Sequence, residues 1–183
     1  MRLLYLMSAI VIMTACGKKP KPQESFIEHI SSPARQESIF NNLITVTSNG
    51  VSQSILKDSL SFLILPIYAS CPACRKKTID SIIKHQDDLM NGRVIIISVK
   101  GGKKTISSFF REEGSEVPEI NSRLFLDSTN QAFQYDLYDT NPVIYYCYNQ
   151  KAYKKIVAVP ATVKEDLREF FSGHRKKVKN KSV

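Results

Sequence analysis

The sequence predicts an α/β domain: a β-α-β unit, a connecting section, then a β-β-α unit, all around a central mixed sheet with an N-terminal strand extension. Three observations carry this. Two short apolar runs, "LSFLILP" and "RVIIISV", flank a stretch of helical spacing. Two strand-like runs meet at a two-residue turn, Asn149-Gln150. An amphipathic segment, "TVKEDLREFF", follows them. Continuous apolar runs of strand length suit strands covered on both faces.

Taken in order, "NLITVTSNG" alternates β-branched residues and ends in Asn49-Gly50, which predicts the extension strand and a turn. "LSFLILP" is a buried strand stopped by Pro66. From Pro72 the apolar residues Ile79, Ile82, Ile83 and Met90 share a helical face, and Asn91-Gly92 closes the helix. "RVIIISV" is the next strand, and a strand–helix–strand of this length implies a parallel, right-handed crossover. "KKTISSFFREEG" reads as a helix, "RLFLD" as a short strand, and "STNQAFQYD" as a helical turn or two opened by Ser128. After Pro142, "VIYYCY" and "AYKKIVAV" form an antiparallel pair. Thr162 and Glu165 form a capping box for the last helix.

The ends of the chain predict a compartment. Arg2 precedes a short apolar run, "LLYLMSAIVIM", below the roughly 20 residues a spanning helix needs. It ends in "MTAC", which resembles the lipobox of bacterial lipoproteins, with Met13 where leucine is commonest. That resemblance implies a signal peptide over 1–15 and lipid (palmitate among its chains) on Cys16. "GKKPKPQES" opens a polar tether assigned to 16–36. The domain is placed at 37–172 and a basic tail at 173–183. Gly17 with no acidic cluster implies, by similarity to lipoprotein sorting, an outer-membrane address facing the periplasm ahead of the inner membrane.

The net charge of +9 does not indicate nucleic-acid binding. Arg2, Lys18, Lys19 and Lys21 precede the domain, and Arg175, Lys176, Lys177, Lys179 and Lys181 follow it. From Gln23 to Ser172, 17 basic residues face 17 acidic ones. A neutral body lacks the electrostatic footprint of a nucleic-acid binder. The basic tail either meets anionic headgroups or stays solvated.

"SCPACRK" carries the chemistry. Cys71 lies in the loop after a buried strand, and Pro72 fits the first helical position. Helix N–H groups and the macrodipole there favour a thiolate. Cys74 is one turn on, within disulfide reach, with Ala73 between, and Arg75, Lys76 and Lys77 adding exposed positive charge. Zinc needs two more ligands, yet only Cys147 and the scattered His29, His85 and His174 remain. A peroxidase pattern, Pro-x-x-x-Thr/Ser-x-x-Cys, fits Pro66 and Ser70 but finds Ala73 at its cysteine. A purely structural disulfide closes too small a loop to stabilise much. Redox exchange is the favoured reading, and no metal or cofactor is expected. Cys147, on a strand apolar on both faces, reads as a buried free thiol or a third redox participant.

A strand, Cys-x-x-Cys at a helix start and β-β-α entered through an X-Pro step resemble the thioredoxin-like superfamily over residues 40–172. "RLFLDSTNQAFQYDLYDTNPVIYY" is similar to the segment before the proline in membrane-anchored envelope thiol–disulfide oxidoreductases of the cytochrome-maturation type. The resemblance implies catalysis by Cys71 and Cys74 on periplasmic protein thiols and disulfides, substrate binding at Asn141 and Pro142, a cis Asn141–Pro142 bond, and a redox recycling partner. Three positions depart from that family. Ser70 replaces the usual aromatic before the first cysteine, Leu65 replaces an acidic or amide residue beneath the pair, and Asn141 replaces a threonine. Leu65 keeps open a second reading, a redox-inactive binding module of the envelope.

Overall fold

The computed structural model describes residues 26–119 and 123–173. The signal peptide, Cys16, residues 16–25 of the tether and 174–183 of the tail lie outside the described residues. Six strands form one mixed sheet: β1 (Phe26–His29), β2 (Leu60–Pro66), β3 (Arg93–Ser98), β4 (Leu124–Asp127), β5 (Val143–Tyr148) and β6 (Lys151–Val157), in the order β1-β6-β5-β2-β3-β4. β2 pairs in parallel with β3, and β3 with β4; the β2/β5, β5/β6 and β1/β6 pairs are antiparallel. The helices are α1 (Pro33–Val46), α2 (Pro72–Lys84), α3 (Lys103–Glu112), α4 (Gln131–Gln134) and α5 (Val163–Ser172).

The apolar runs explain the layering. Every residue of β2 is buried. Leu63 and Leu65 join one cluster, with Ile79 and Ile82 of α2, Ile106 and Phe110 of α3, and Leu167 and Phe170 of α5. Leu60, Phe62 and Ile64 join the other, with Phe40, Leu43 and Ile44 of α1 and Ala132 of α4. Alternate side chains of one strand therefore feed two cores, as a sheet sandwiched between helices requires.

The predicted strand over "NLITVTSNG" is instead the end of α1 and its exit turn. Ser32 accepts the Arg35 N–H on its side chain (3.5 Å) and Pro33 starts the helix. Phe40, Leu43 and Ile44 then fall on one buried face. Packing of that face on the sheet outweighs the strand preference of Ile44, Thr45 and Val46. The chain does turn at Ser48 and Asn49, both at positive φ. The N-terminal strand is β1, paired with β6. β1 and the buried Ile30 thus lie within the stretch assigned to the tether.

α2 ends at Lys84 rather than at Asn91-Gly92. His85 stacks on Phe171 (4.9 Å between centroids), and its Nδ1 lies 2.9 Å from Asp88. Those contacts hold the chain in a turn, and Met90 is exposed. Gly92 is required at the entry to β3: its φ is +75°, and a Cβ would sit 2.5 Å from the Ser59 carbonyl oxygen. The capping box of α5 is absent. Thr162 Oγ1 donates to the buried Asp166 carboxylate instead (2.8 Å), and Glu165 lies 3.5 Å from Arg168. Asn149 and Gln150, both at positive φ, make the β5–β6 turn. The expected cis Asn141–Pro142 bond is also corrected: no peptide bond among the described residues is cis. This follows the ordinary trans preference of X-Pro, about 0.5–1 kcal/mol.

Candidate functional site

The cysteines sit past the carboxyl end of β2, where the sheet order reverses between β5 and β3. Open α/β sheets place ligand sites at such points. Cys71 is the N-cap of α2 with extended backbone, Pro72 is the first helical residue, and Ala73 is exposed. Cys71 and Cys74 are joined by a disulfide, their Cα atoms 5.3 Å apart. The Cys74 N–H donates to Cys71 Sγ (3.1 Å). Cys71 is partly exposed, whereas Cys74 is fully buried, and Thr78 Oγ1 donates to its carbonyl (2.8 Å). A sulfur that is reachable and faces a helix N–H can carry negative charge. Its buried partner cannot meet a bulky substrate first.

The cations after the pair are more engaged than expected. Arg75 is largely buried, its guanidinium 4.9 Å above the Phe109 ring and 3.6 Å from Glu113, with Nη1 donating to the Ile67 carbonyl (3.4 Å). It ties α2 to α3, and Glu113 offsets its charge. Lys76 pairs with Asp80 at 3.2 Å, and Lys77 reaches the Pro160 carbonyl at 3.5 Å. The helix N-terminus is therefore the main local support for a thiolate on Cys71.

Asn141 is brought to the pair. Ser70, directly before Cys71, donates its N–H to the Thr140 carbonyl (2.8 Å) and its hydroxyl to Asn141 Oδ1 (3.1 Å). Pro142 is buried, and its carbonyl accepts the Ala158 N–H (2.9 Å). Leu65 is fully buried in the same apolar cluster as Cys74.

Cys147 lies away from this site. It pairs with Leu60, at the opposite end of β2, and belongs to the other core cluster. It is a free, fully buried thiol, and burial pushes its pKa far up. At pH 8 it therefore stays protonated. Iodoacetamide should leave Cys147 unmodified in the native reduced protein and label it only in denaturant, as peptide mass mapping would read; native labelling would contradict its burial.

A polar network at the carboxyl ends of β3 and β4 was not among the sequence expectations. Asp127 ends β4 nearly buried, accepting the Gln131 and Ala132 N–H groups (both 2.9 Å) and the Ser98 hydroxyl (2.7 Å). It, rather than Ser128, opens α4. Tyr138 Oη donates to Asn130 Oδ1 (2.6 Å) and lies 3.3 Å from Ser98 Oγ. Burial raises the Tyr138 phenol, so it remains a donor. A polar residue ending the apolar run "LFLD" was the available signal.

A cleft of about 730 Å³ lies at the amino ends of β3 and β4, among Arg93, Arg123 and Asp58. Its arginines already serve the fold: Arg93 bonds the Phe170 carbonyl (2.6 Å) and Ser61 (2.9 Å), and Arg123 the Leu89 and Met90 carbonyls. Among the described residues, no cluster of His, Cys, Asp and Glu could hold a metal, and no helix is long and apolar enough to cross a membrane. No protein-family model matches this chain, and a search of curated proteins finds no match to it.

Proposed function

We propose that the protein is a thiol–disulfide oxidoreductase of thioredoxin-like fold, held by lipid on Cys16 at the periplasmic side of a bacterial envelope membrane, the outer ahead of the inner. The observation that carries the reading is the asymmetry of the pair: Cys71 reachable at a helix N-terminus, Cys74 buried one turn on and bonded to it. The strand order β6-β5-β2-β3, with the pair at the end of β2, supports the fold assignment. In the reducing direction, Cys71 thiolate attacks a substrate disulfide and releases one substrate thiolate. Cys74 thiolate then attacks Cys71, freeing the second and closing the Cys71–Cys74 disulfide. The oxidising direction is the reverse. Asn141 and Pro142 wall the site, and a recycling partner restores the pair.

One observation favours the second reading, an idle binding module. Leu65 leaves no carboxylate beneath the pair to take the Cys74 proton. Insulin reduction separates the two. The domain should accelerate precipitation of insulin chains by dithiothreitol, and Cys71→Ser should return the rate to background. No acceleration by the wild type would leave the binding module as the better reading.

A further inference from the structure

Past the carboxyl ends of β2 and β3, lined by Tyr68 and by the Thr140 whose carbonyl Ser70 bonds, the surface holds a small hollow of about 170 Å³. Ligand pockets run to about 300–1,000 Å³, so this one suits a single side chain. Two exposed aromatic residues stand at it, Tyr68 (70% exposed) and Phe133 (49% exposed), with the buried Tyr138 as a third. Exposed aromatics gathered at one hollow, rather than scattered, mark a contact surface. Asn130 lines it in a left-handed backbone conformation (φ 63°), with Oδ1 held by Tyr138. Its amide Nδ2 has no protein partner among the described residues and is left to donate. Lys100 and Asp139, opposite in charge, also line the hollow, so neither sign of ligand is favoured there.

We infer that this hollow takes an aromatic side chain of the substrate polypeptide close to the cysteine that Cys71 attacks, with Asn130 donating to the neighbouring peptide carbonyl. The inference rests on the exchange reading proposed above. Position supports it: Tyr68 is three residues before Cys71, and the hollow's Thr140 bonds Ser70. At ~3.3–3.6 Å per residue, the hollow lies within about 10 Å of Cys71 along the chain. An extended substrate therefore reaches it two to four residues from its own cysteine. A ring there stacks against Tyr68 and Phe133.

The test uses reduced protein and three serine-rich peptides, each with one cysteine disulfide-bonded to glutathione. One carries Phe three residues before the cysteine, one three residues after it, and one neither. Cys71 thiolate displaces glutathione thiolate, Cys74 releases the peptide thiol, and the pair ends as the disulfide, so two electrons pass from protein to peptide. One Phe peptide should react about tenfold faster than the plain one, ~1.4 kcal/mol by the usual conversion. In Phe133→Ser and in Tyr68→Ser that ratio should fall towards one. Equal rates for all three peptides with active wild-type protein would overturn the hollow's role and leave exchange standing. A wild type unreactive even towards the small disulfide dithiobis(nitrobenzoate) would overturn the exchange reading and this inference together.

Discussion

Cys74→Ser should accumulate covalent complexes with envelope proteins that dissolve on adding reductant, while Cys71→Ser should accumulate few. Exchange passes through a mixed disulfide that the second thiol resolves. Cys71 is the partly exposed sulfur and already accepts the Cys74 N–H at 3.1 Å. Cys74 has no exposed surface. Removing Cys74 leaves the attacking sulfur in place and strands its intermediate. Removing Cys71 leaves a sulfur that a folded or bulky substrate cannot reach. Both variants should lose insulin reduction to background, so only the trapped species tells the roles apart. Cys147→Ser should trap nothing by itself and leave trapping by Cys74→Ser intact. Non-reducing gels followed by mass spectrometry read the result; equal trapping by the two active-site variants would reverse or void the assignment.

Asp127→Ala should destabilise the fold strongly although it lies away from the cysteines. The carboxylate is 4% exposed and accepts from Gln131 N–H, Ala132 N–H and Ser98 Oγ. Alanine leaves the Gln131 and Ala132 N–H groups without a partner, while Ser98 Oγ keeps Asn130 Oδ1 at 3.1 Å; each orphaned buried group costs about 1–3 kcal/mol. With partial relaxation, about 3 kcal/mol or more should be lost. At ~2–4 °C per kcal/mol for a chain of this size, Tm should fall by roughly 10 °C. Asp127→Asn keeps the shape and one acceptor, so its loss should be clearly smaller. Guanidinium unfolding of both variants checks this, and a loss below about 1 kcal/mol for alanine would mean the network does not hold α4 and β4 together.

The parts of the fold legible in the sequence are those whose local pattern and tertiary burial agree. "LSFLILP" and "RVIIISV" are apolar throughout because both faces of β2 and β3 are covered. Pro66, Pro72 and Asn149-Gln150 mark where chain direction changes, and the structure turns there. α1 was hidden because its last turn, "LITV", favours strands by composition, while its start signal, Ser32-Pro33, sits in a polar stretch assigned to the tether. β1 is too short to show alternation, and its place is set by pairing with β6. The end of α2 depends on His85 meeting Phe171, residues far apart in sequence. At the site, the spacing of Cys71 and Cys74 was readable. The pinning of Arg75 by Phe109 and Glu113 was not, nor was the grouping of Ser98, Asp127, Asn130 and Tyr138, since both depend on which loops the sheet order brings together.

Whether the Cys71–Cys74 disulfide is exchanged or merely structural is read from its equilibrium with a glutathione or dithiothreitol redox buffer. The Cys74 N–H that Cys71 Sγ accepts is placed to favour a thiolate in the reduced form, and a favoured thiolate makes a disulfide easier to reduce. One two-electron transition is expected between about −270 and −120 mV, the span from reducing to oxidising members of the exchange enzymes. A pair that stays oxidised below about −300 mV, as structural disulfides do, would contradict the exchange reading.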